Sequence, residues 1–389
     1  MPDFIAEASF SLNTSKVVHQ MEISSSRSVA LIDIEGPPVA RGEQFGRACR
    51  DQIKAYPEIL RRTIAHESRL RNPEARAPSP SVEDLVDRAL RFLPKLEGYA
   101  PEQMEEIRGI ATGAGVPFGH ALLINVRSEV GIFDGLPADG EGCTSFAVDR
   151  SATHDGTMLI GQNQDQAGVM EDLVVVLRVT PEHGPRMLMA TFGGLMGYPG
   201  INDAGVGFMQ NSLTNSVWRF GLPHYPMKRR LLEQRSIEDC LAVMKASPVG
   251  SCGNYVLVDR NRAVDVELTP DSMAVLASKE GVVAHANHFT DPELKKDDRR
   301  PSEWVDTLLR HSGLETMMQE RRGMLSAGTM KELLSDHDGH PGSICRHHQP
   351  GQLAPVKTIY SVICEPDAGR MHLRLGNPCQ GPYQVFEFD

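Results

Sequence analysis

The sequence predicts an α+β protein in which two antiparallel sheets pack face to face with helical layers outside. Three observations lead there. Up to about residue 130 the apolar residues fall mostly at helical spacing; beyond the polar loop 134–140 the chain becomes short strands joined by tight turns; further helical stretches then bracket those strands. Strands linked by short hairpin turns pair antiparallel, and sheets with one apolar face bury it against another sheet or a helix. No fixed-period repeat is visible, and 389 residues suffice for a sizeable core.

Taken in order, a strand over residues 29–34 runs into the turn Gly36-Pro37-Pro38. Phe45, Ile53, Tyr56 and Leu60 mark a helix over 41–66, which Pro57 is expected to kink or divide. The Pro-, Ala- and Ser-rich stretch 72–81 breaks the pattern. Helices follow over 82–99, over 101–114 with proline at its first position, and over 120–132. Past the loop, 143–150 and 157–165 form a hairpin around the signal Asp155-Gly156. A second pair comprises 173–180 and 186–192, and more strands lie at 205–212, 254–260, 263–269, 273–278 and 282–289. Helices are expected over 227–246, 301–322 and 329–337, and the chain closes on a hairpin of 358–366 with 370–376.

The composition excludes several classes. A formal charge of −11 argues against a nucleic-acid partner, because nothing offsets phosphate repulsion. No apolar run approaches the roughly 20 residues that span a bilayer, so no membrane partner is expected. Residues 1–26 lack the basic, apolar and cleavage regions of a secretory signal, which points to a cytoplasmic protein. The seven cysteines are odd in number and form no CxxC pair, which fits free thiols in a reducing compartment.

Most of those cysteines read as small buried hydrophobes; Cys143 does not. It follows Gly142 in a polar loop, starts a strand, and has Thr144 and Ser145 as neighbours. The partner strand of its hairpin carries Gly161-Gln162-Asn163-Gln164-Asp165, so pairing returns an Asn and an Asp to its side. A thiol of pKa about 8.5 needs a base at neutral pH. Were the Gly142–Cys143 bond cut, Cys143 would gain an α-amine of pKa about 7.7–8 beside its own thiol, able to act as that base.

These segments together resemble the acyl-coenzyme A:6-aminopenicillanic acid acyltransferase family (isopenicillin N acyltransferase and its bacterial relatives), within the N-terminal-nucleophile hydrolase superfamily. The resemblance runs over nearly the whole chain: Ala40-Arg41-Gly42 with Gly46, Leu123-Ile124-Asn125-Val126-Arg127-Ser128-Glu129, Glu141-Gly142-Cys143-Thr144-Ser145, Gly161-Gln162-Asn163-Gln164-Asp165, Gly253-Asn254-Tyr255, Ala286-Asn287-His288-Phe289, Ser343-Ile344-Cys345-Arg346-His347 and the strand 358–365. It implies a four-layer αββα fold and autoproteolysis just before the nucleophile. The mature enzyme would have a mostly helical α segment (1–142) and a catalytic β segment (143–389) within one domain. By motif, Cys143 is the nucleophile, Asp165 orients or polarises its amine and thiol, Asn254 donates to the oxyanion, and Arg346 holds Asp165 or the substrate. The related bile-salt and penicillin V hydrolases carry an arginine three residues before their aspartate. Gln162 stands there in this chain, which makes Arg346 the replacement.

Read singly, the same residues are ordinary: Asp165 hairpin chemistry, Asn254 a turn or cap residue, Arg346 a solvated charge; their joint placement lifts them. His337, His340, His347 and His348 gather around Cys345, but adjacent histidines point to opposite sides of an extended chain, and both helical His-x-x-x-His spacing and a Glu-bearing zinc motif are missing, so neither metal nor cofactor is expected. His285 and His288 bracket Asn287 and suit a core network or the cleft wall. The Gly-rich stretch 193–200 lacks a P-loop's Lys-Ser/Thr and suits a substrate-lining loop. The expected substrate wall is Thr144, Ser145, Asn163, Phe192, Tyr198, Asn287 and His288.

The expected reaction is attack on the amide of a small N-acylated compound through an acyl-thioester on Cys143, with water or an amine taking the acyl group. The partners are that substrate, an acyl-thioester donor where the reaction is transfer, and the two fragments of one precursor; a homo-oligomer is compatible with the sequence. Two other readings stay open: an uncleaved homologue that binds a ligand without chemistry, and a Cys-His thiol hydrolase using His288 or His347.

Overall fold

The computed structural model describes residues 28–71, 79–134, 142–214, 218–299, 305–348 and 356–389. The leader before residue 28, most of the 72–81 break and the loop 135–141 lie outside the described residues.

The N-terminal helices are α1 (Pro38–Ala48), α2 (Arg50–Arg71), α3 (Val82–Leu90), α4 (Leu93–Tyr99), α5 (Pro101–Ala114) and α6 (Phe118–Ile124). The division expected at Pro57 falls at Cys49 instead, and Pro57 sits inside α2. The stretch 82–99 is two helices; Ser81 and Asp84 close a capping box that fixes where the first begins. Helix α5 matches its predicted span and stops at Gly115, whose positive φ of 66° turns the chain out of the helix. Helices α1 and α5 cross at backbone contact: a Cβ on Gly42 would lie 2.0 Å from the Glu106 carbonyl oxygen. The buried Arg41–Glu106 pair, 2.7 Å apart, fixes that crossing.

Fourteen strands follow from the described residues. The eight-stranded sheet runs β1 (Leu31–Gly36), β4 (Val174–Pro181), β5 (Met187–Phe192), β6 (Gly200–Asn202), β7 (Gly207–Ser212), β8 (Gly253–Val258), β9 (Ala263–Leu268), β10 (Met273–Ala277). The six-stranded sheet runs β11 (Val282–His285), β2 (Gly142–Val148), β3 (Leu159–Ala167), β12 (Val356–Glu365), β13 (Arg370–Leu375), β14 (Gln384–Glu387). The expected all-antiparallel arrangement has one exception, since β1 pairs with β4 in parallel. A parallel pair needs a long crossover, which the intervening helices supply. The predicted helix over 227–246 is two, α7 (His224–Leu231) and α8 (Ile237–Ala246), because Ser236 caps a new start. Helices α9 (Asp306–Glu320) and α10 (Ala327–Leu334) complete the set.

Strand alternation sorts the hairpin's side chains. Ala147 and Ile160 enter the main core between the two sheets, whereas Phe146, Val148 and Leu159 join a second apolar cluster with Leu314 and Met318 of α9 and Met330 of α10. The layers are therefore helices, eight-stranded sheet, six-stranded sheet, helices: the expected αββα sandwich. Among the described residues, no single helix is long and apolar enough to cross a membrane.

Candidate active site

Cys143 is the second residue of β2, fully buried, and pairs with Gln164 of β3. Alternation places its side chain on the inner face with Ser145 and Ala147, towards the eight-stranded sheet. Its backbone N–H donates to Asn287 Oδ1 at 2.8 Å. Its carbonyl oxygen accepts from Arg310 Nη1 at 2.6 Å and from Asn211 Nδ2 at 3.1 Å. Both ends of this residue's backbone are thus held by side chains, an unusual demand for a strand residue, whose groups the sheet ladder normally satisfies.

Gly142 pairs with Asp165, so that carboxylate lies on the outer face with Thr144 and Asn163. A Cβ on Gly142 would come 2.6 Å from Arg346 Nη1 and 3.3 Å from Asp165 Oδ2, so both groups lie against the outer face of Gly142. Asp165 Oδ1 accepts from Thr358 Oγ1 at 2.7 Å. Burial pushes the Asp165 carboxyl up to about 6, against the opposing pull of Arg346 and then Arg310. Arg346 forms an ion pair with Asp306, which also meets Arg310 Nη2 at 3.3 Å. Two guanidinium groups and two carboxylates therefore surround the Gly142–Cys143 peptide from the outer side. Arg310, 2 % exposed, is held below its ordinary pKa by burial and then by Arg346, while Asp165 and Asp306 oppose.

Of the residues singled out in the sequence, Cys143, Asp165 and Arg346 come together around Gly142. Asn287 joins them through Cys143 N–H and through Arg310 Nη2, 3.0 Å from the same Oδ1. Asn254 pairs with Asn211 across β7 and β8, and its Nδ2 lies 3.5 Å from Asn211 Oδ1, one residue removed from Cys143. Ser145 Oγ donates to that same Asn211 oxygen on the inner face. Thr144 Oγ1 accepts from Arg310 at 2.8 Å on the outer face. Asn163 is not brought to the thiol: its Nδ2 donates to Leu334 O at 2.8 Å and Ile344 O at 2.9 Å, tying β3 to the chain around α10. Gln162, which stands where the related hydrolases have arginine, accepts from Gln210 N–H at 3.1 Å and donates to Gln164.

Phe192 and Tyr198 are buried in the main core, ring centroids 5.2 Å apart, beneath the Arg127 guanidinium. Gln166 donates to Tyr198 Oη at 3.3 Å, which links this aromatic wall to the inner face that carries Cys143. His288 meets Thr307 Oγ1 through Nδ1 and His311 Nδ1 through Nε2, at 3.0 and 3.2 Å. His285 lies 2.8 Å from Asp265; burial works against its charged form, but Asp265 and Glu267 together raise its pKa. His311 is pushed down to about 4 by burial and then by His285.

Sequence reasoning missed Asn211, Arg310, Asp306 and Thr358. It also missed that Cys345 and His347 meet His337 and Cys379, a cluster whose ligand atoms all lie within 4.8 Å of one another.

A model of the family described as acyl-coenzyme A:6-aminopenicillanic acid acyl-transferase matches residues 151–380, a stretch that begins beyond Cys143 and holds Asp165, Asn254, Asn287, Arg310 and Arg346. The chain is 25% identical over 362 residues to the acyl-coenzyme A:6-aminopenicillanic-acid-acyltransferase 40 kDa form of Emericella nidulans, covering 91% of this chain and 94% of that protein. It is 36% identical over 134 residues to an N-acylethanolamine-hydrolyzing acid amidase of Caenorhabditis elegans, covering 34% of this chain and 32% of that one. Among solved structures, a mutant of conjugated bile acid hydrolase from Clostridium perfringens aligns with a TM-score of 0.44 at 12% identity, over 64% of this chain and 97% of that one. Penicillin V acylase from Agrobacterium tumefaciens aligns with a TM-score of 0.42 at 12% identity, over 64% and 86%.

Proposed function

Given that the chain belongs to the acyl-coenzyme A:6-aminopenicillanic acid acyl-transferase family, and so to the acyltransferases and amidohydrolases of N-terminal-nucleophile type, we propose that Cys143 cuts its own chain and then serves as the acyl-accepting nucleophile. The observation that carries this reading is the fixation of the Gly142–Cys143 peptide: Asn287 on the amide hydrogen, Arg310 and Asn211 on the following carbonyl, and Asp165 with Arg346 flanking Gly142. Contacts on the scissile nitrogen, on the next carbonyl and beside a Gly142 that carries no Cβ support a peptide held in one geometry.

Processing starts when the Cys143 thiol attacks the Gly142 carbonyl carbon. The tetrahedral oxyanion collapses, the C–N bond breaks, and the nitrogen leaves as the protonated α-amine of Cys143. Water then hydrolyses the Gly142–Sγ thioester, releasing the Gly142 carboxylate and the thiol. In the mature enzyme the α-amine takes the thiol proton as the thiolate attacks the substrate amide, and returns it to the departing amine. The acyl-thioester passes to water or to an amine. Asn254, beside Asn211 on the inner face, supplies the amide donor for the oxyanion, while Asn211 holds the Cys143 carbonyl. Asp165 and Arg346 act on the new amino terminus from the outer face. Strand β1, hydrogen-bonded along β4, supports the reading that segments 1–142 and 143–389 stay in one domain after the cut. The substrate class is a small N-acyl amide, in keeping with the amide- and thioester-acyl chemistry that the names of the two relatives state for them.

Intact mass with N-terminal sequencing tests the proposal. Wild type should yield a fragment beginning Cys143-Thr144-Ser145-Phe146 and Cys143→Ala should stay whole; two whole proteins would remove self-processing. No observation favours a Cys-His hydrolase, because His288 engages Thr307 and His311 and His347 engages thiols elsewhere.

A further inference from the structure

We infer that His337, Cys345, His347 and Cys379 form a structural zinc site, separate from the reacting groups at Cys143. The four ligand atoms come from three segments: the turn after α10, the loop before β12, and the turn between β13 and β14. A zinc ion with Zn–S of about 2.3 Å and Zn–N of about 2.0–2.1 Å in a tetrahedron demands S···S near ~3.8 Å, S···N near ~3.5 Å and N···N near ~3.3 Å. The observed spacings are 3.7 Å between Cys345 Sγ and Cys379 Sγ, 3.6 and 3.3 Å from those sulfurs to His347 Nε2, and 3.0 Å between His337 Nε2 and His347 Nε2. All six separations stay within 4.8 Å, the size of one coordination sphere and well short of a dispersed surface cluster. Two thiolates and two imidazoles at tetrahedral spacing select zinc over the hard cations, which prefer oxygen.

The local chain explains why these residues converge. Cys345 and His347 are two apart in sequence and their ligand atoms meet, Sγ to Nε2 at 3.6 Å, while the neighbouring His348 is exposed and outside the cluster. Asn377 Nδ2 donates to Cys345 Sγ at 3.4 Å and to Arg346 O at 2.8 Å, an outer contact of the kind that orients a metal thiolate. His337 and Cys379 are exposed and give an ion its path in. Each thiol gives up its proton on binding, and the metal carries the charge of the two thiolates.

The site has a structural consequence. Arg346 stands between two of the ligands, and its side chain reaches Asp306 and the flank of Gly142. Clamping residues 345 and 347 to Cys379 fixes the backbone from which that guanidinium projects, so zinc makes Arg346 a positioned residue.

Elemental analysis of the reduced, full-length protein expressed with added zinc should find about one zinc per chain. After chelation, titration with cobalt(II) should give the visible bands of a tetrahedral ion with a thiolate charge-transfer band. Cys345→Ser/Cys379→Ser should lose both signals, while His348→Ala and Cys143→Ala keep them. Should the double variant fail to fold, alkylation of wild type read by mass spectrometry decides: zinc should protect Cys345 and Cys379 and leave the rate at Cys143 unchanged. Reduced protein that takes up neither metal overturns the inference. So does metal content unaffected in the double variant, or a native mass showing a Cys345–Cys379 disulfide in place of thiols. Metal content and thiol protection are read independently of cleavage, so a failure of self-processing would not be mistaken for a failure of this site.

Discussion

Cys143 and Asp165 lie on opposite faces of the six-stranded sheet, one step out of register: Cys143 pairs with Gln164 and Gly142 with Asp165. The carboxylate therefore sits beside the acyl residue of the bond to be cut, with the sheet between it and the thiol. In the proposed reaction its influence on the thiol runs through the Cys143 backbone nitrogen, which would become the α-amine.

This separation makes the titration of Asp165 measurable in the uncut protein. Its folded pKa, about 6, lies above the ordinary 3.8, so between those values the native state holds a proton that the unfolded chain has lost. Stability should then fall as pH rises from about 4 to about 6 and stay level above, a loss on the order of 2–3 kcal/mol from this group. Denaturation midpoints of Cys143→Ala against pH should show the decline, and adding Asp165→Asn should remove it. A decline that survives in the double variant would assign it to other groups.

Gly142→Ala should slow processing by at least ~10-fold, because the new Cβ meets Arg346 Nη1 at 2.6 Å and Arg346 is held by Asp306. The measurement is the fraction of uncut chain over time on a denaturing gel. Adding Arg346→Ala should restore part of the rate lost to crowding if the clash is the cause; a double variant no faster than Gly142→Ala would refute that cause.

Arg310 donates to Cys143 O, Thr144 Oγ1 and Asn287 Oδ1 from a fully buried position. Truncation to alanine leaves those acceptors and the facing carboxylates without it, and should cost roughly 3–5 kcal/mol. Lysine keeps the charge but offers one point donor in place of a fork. Arg310→Lys should fold, with a lowered Tm, and process slowly. Wild-type processing in that variant would show that the fork has no part in holding the peptide.

The sequence made Cys143, Asp165 and Arg346 legible because each sits in a short segment whose neighbours resemble a family pattern. Arg310 had no such signal: an arginine on a helix looks solvated until the tertiary structure buries it against the strand carrying Cys143. Asn211 looked like one more polar residue at a strand end, and only the packing of β7 on β2 puts it on the Cys143 carbonyl. Cys379 lies 34 residues from Cys345, and no local spacing rule joins them. His337, Cys345, His347 and Cys379 come from three separate segments, so spacing within any one of them carries no sign that they meet. The helix breaks at Cys49 and Ser236 were missed because apolar spacing continues through them, while the caps that bound the helices, at the end of α1 and the start of α8, are single-residue signals.

The two asparagines on the inner face divide the remaining work. Asn211 Nδ2 is committed to Cys143 O, and its Oδ1 receives Ser145 Oγ. The amide of Asn254, next outward, has only a long 3.5 Å contact to Asn211, and its Oδ1 has no hydrogen-bond partner among the described residues. A weakly engaged buried amide is the better donor for an oxyanion that forms only during reaction, since it exchanges little on the way to the transition state. Asn254→Ala should then lower kcat by roughly 10²–10³-fold with little change in KM on an N-acyl anilide substrate, the split expected of a donor used only in the transition state. Asn211→Ala should instead slow processing and lower Tm, because it leaves the Cys143 carbonyl one donor short. If Asn254→Ala turns over normally and Asn211→Ala carries the loss in kcat, the oxyanion donor is Asn211 and the roles argued for the pair are reversed.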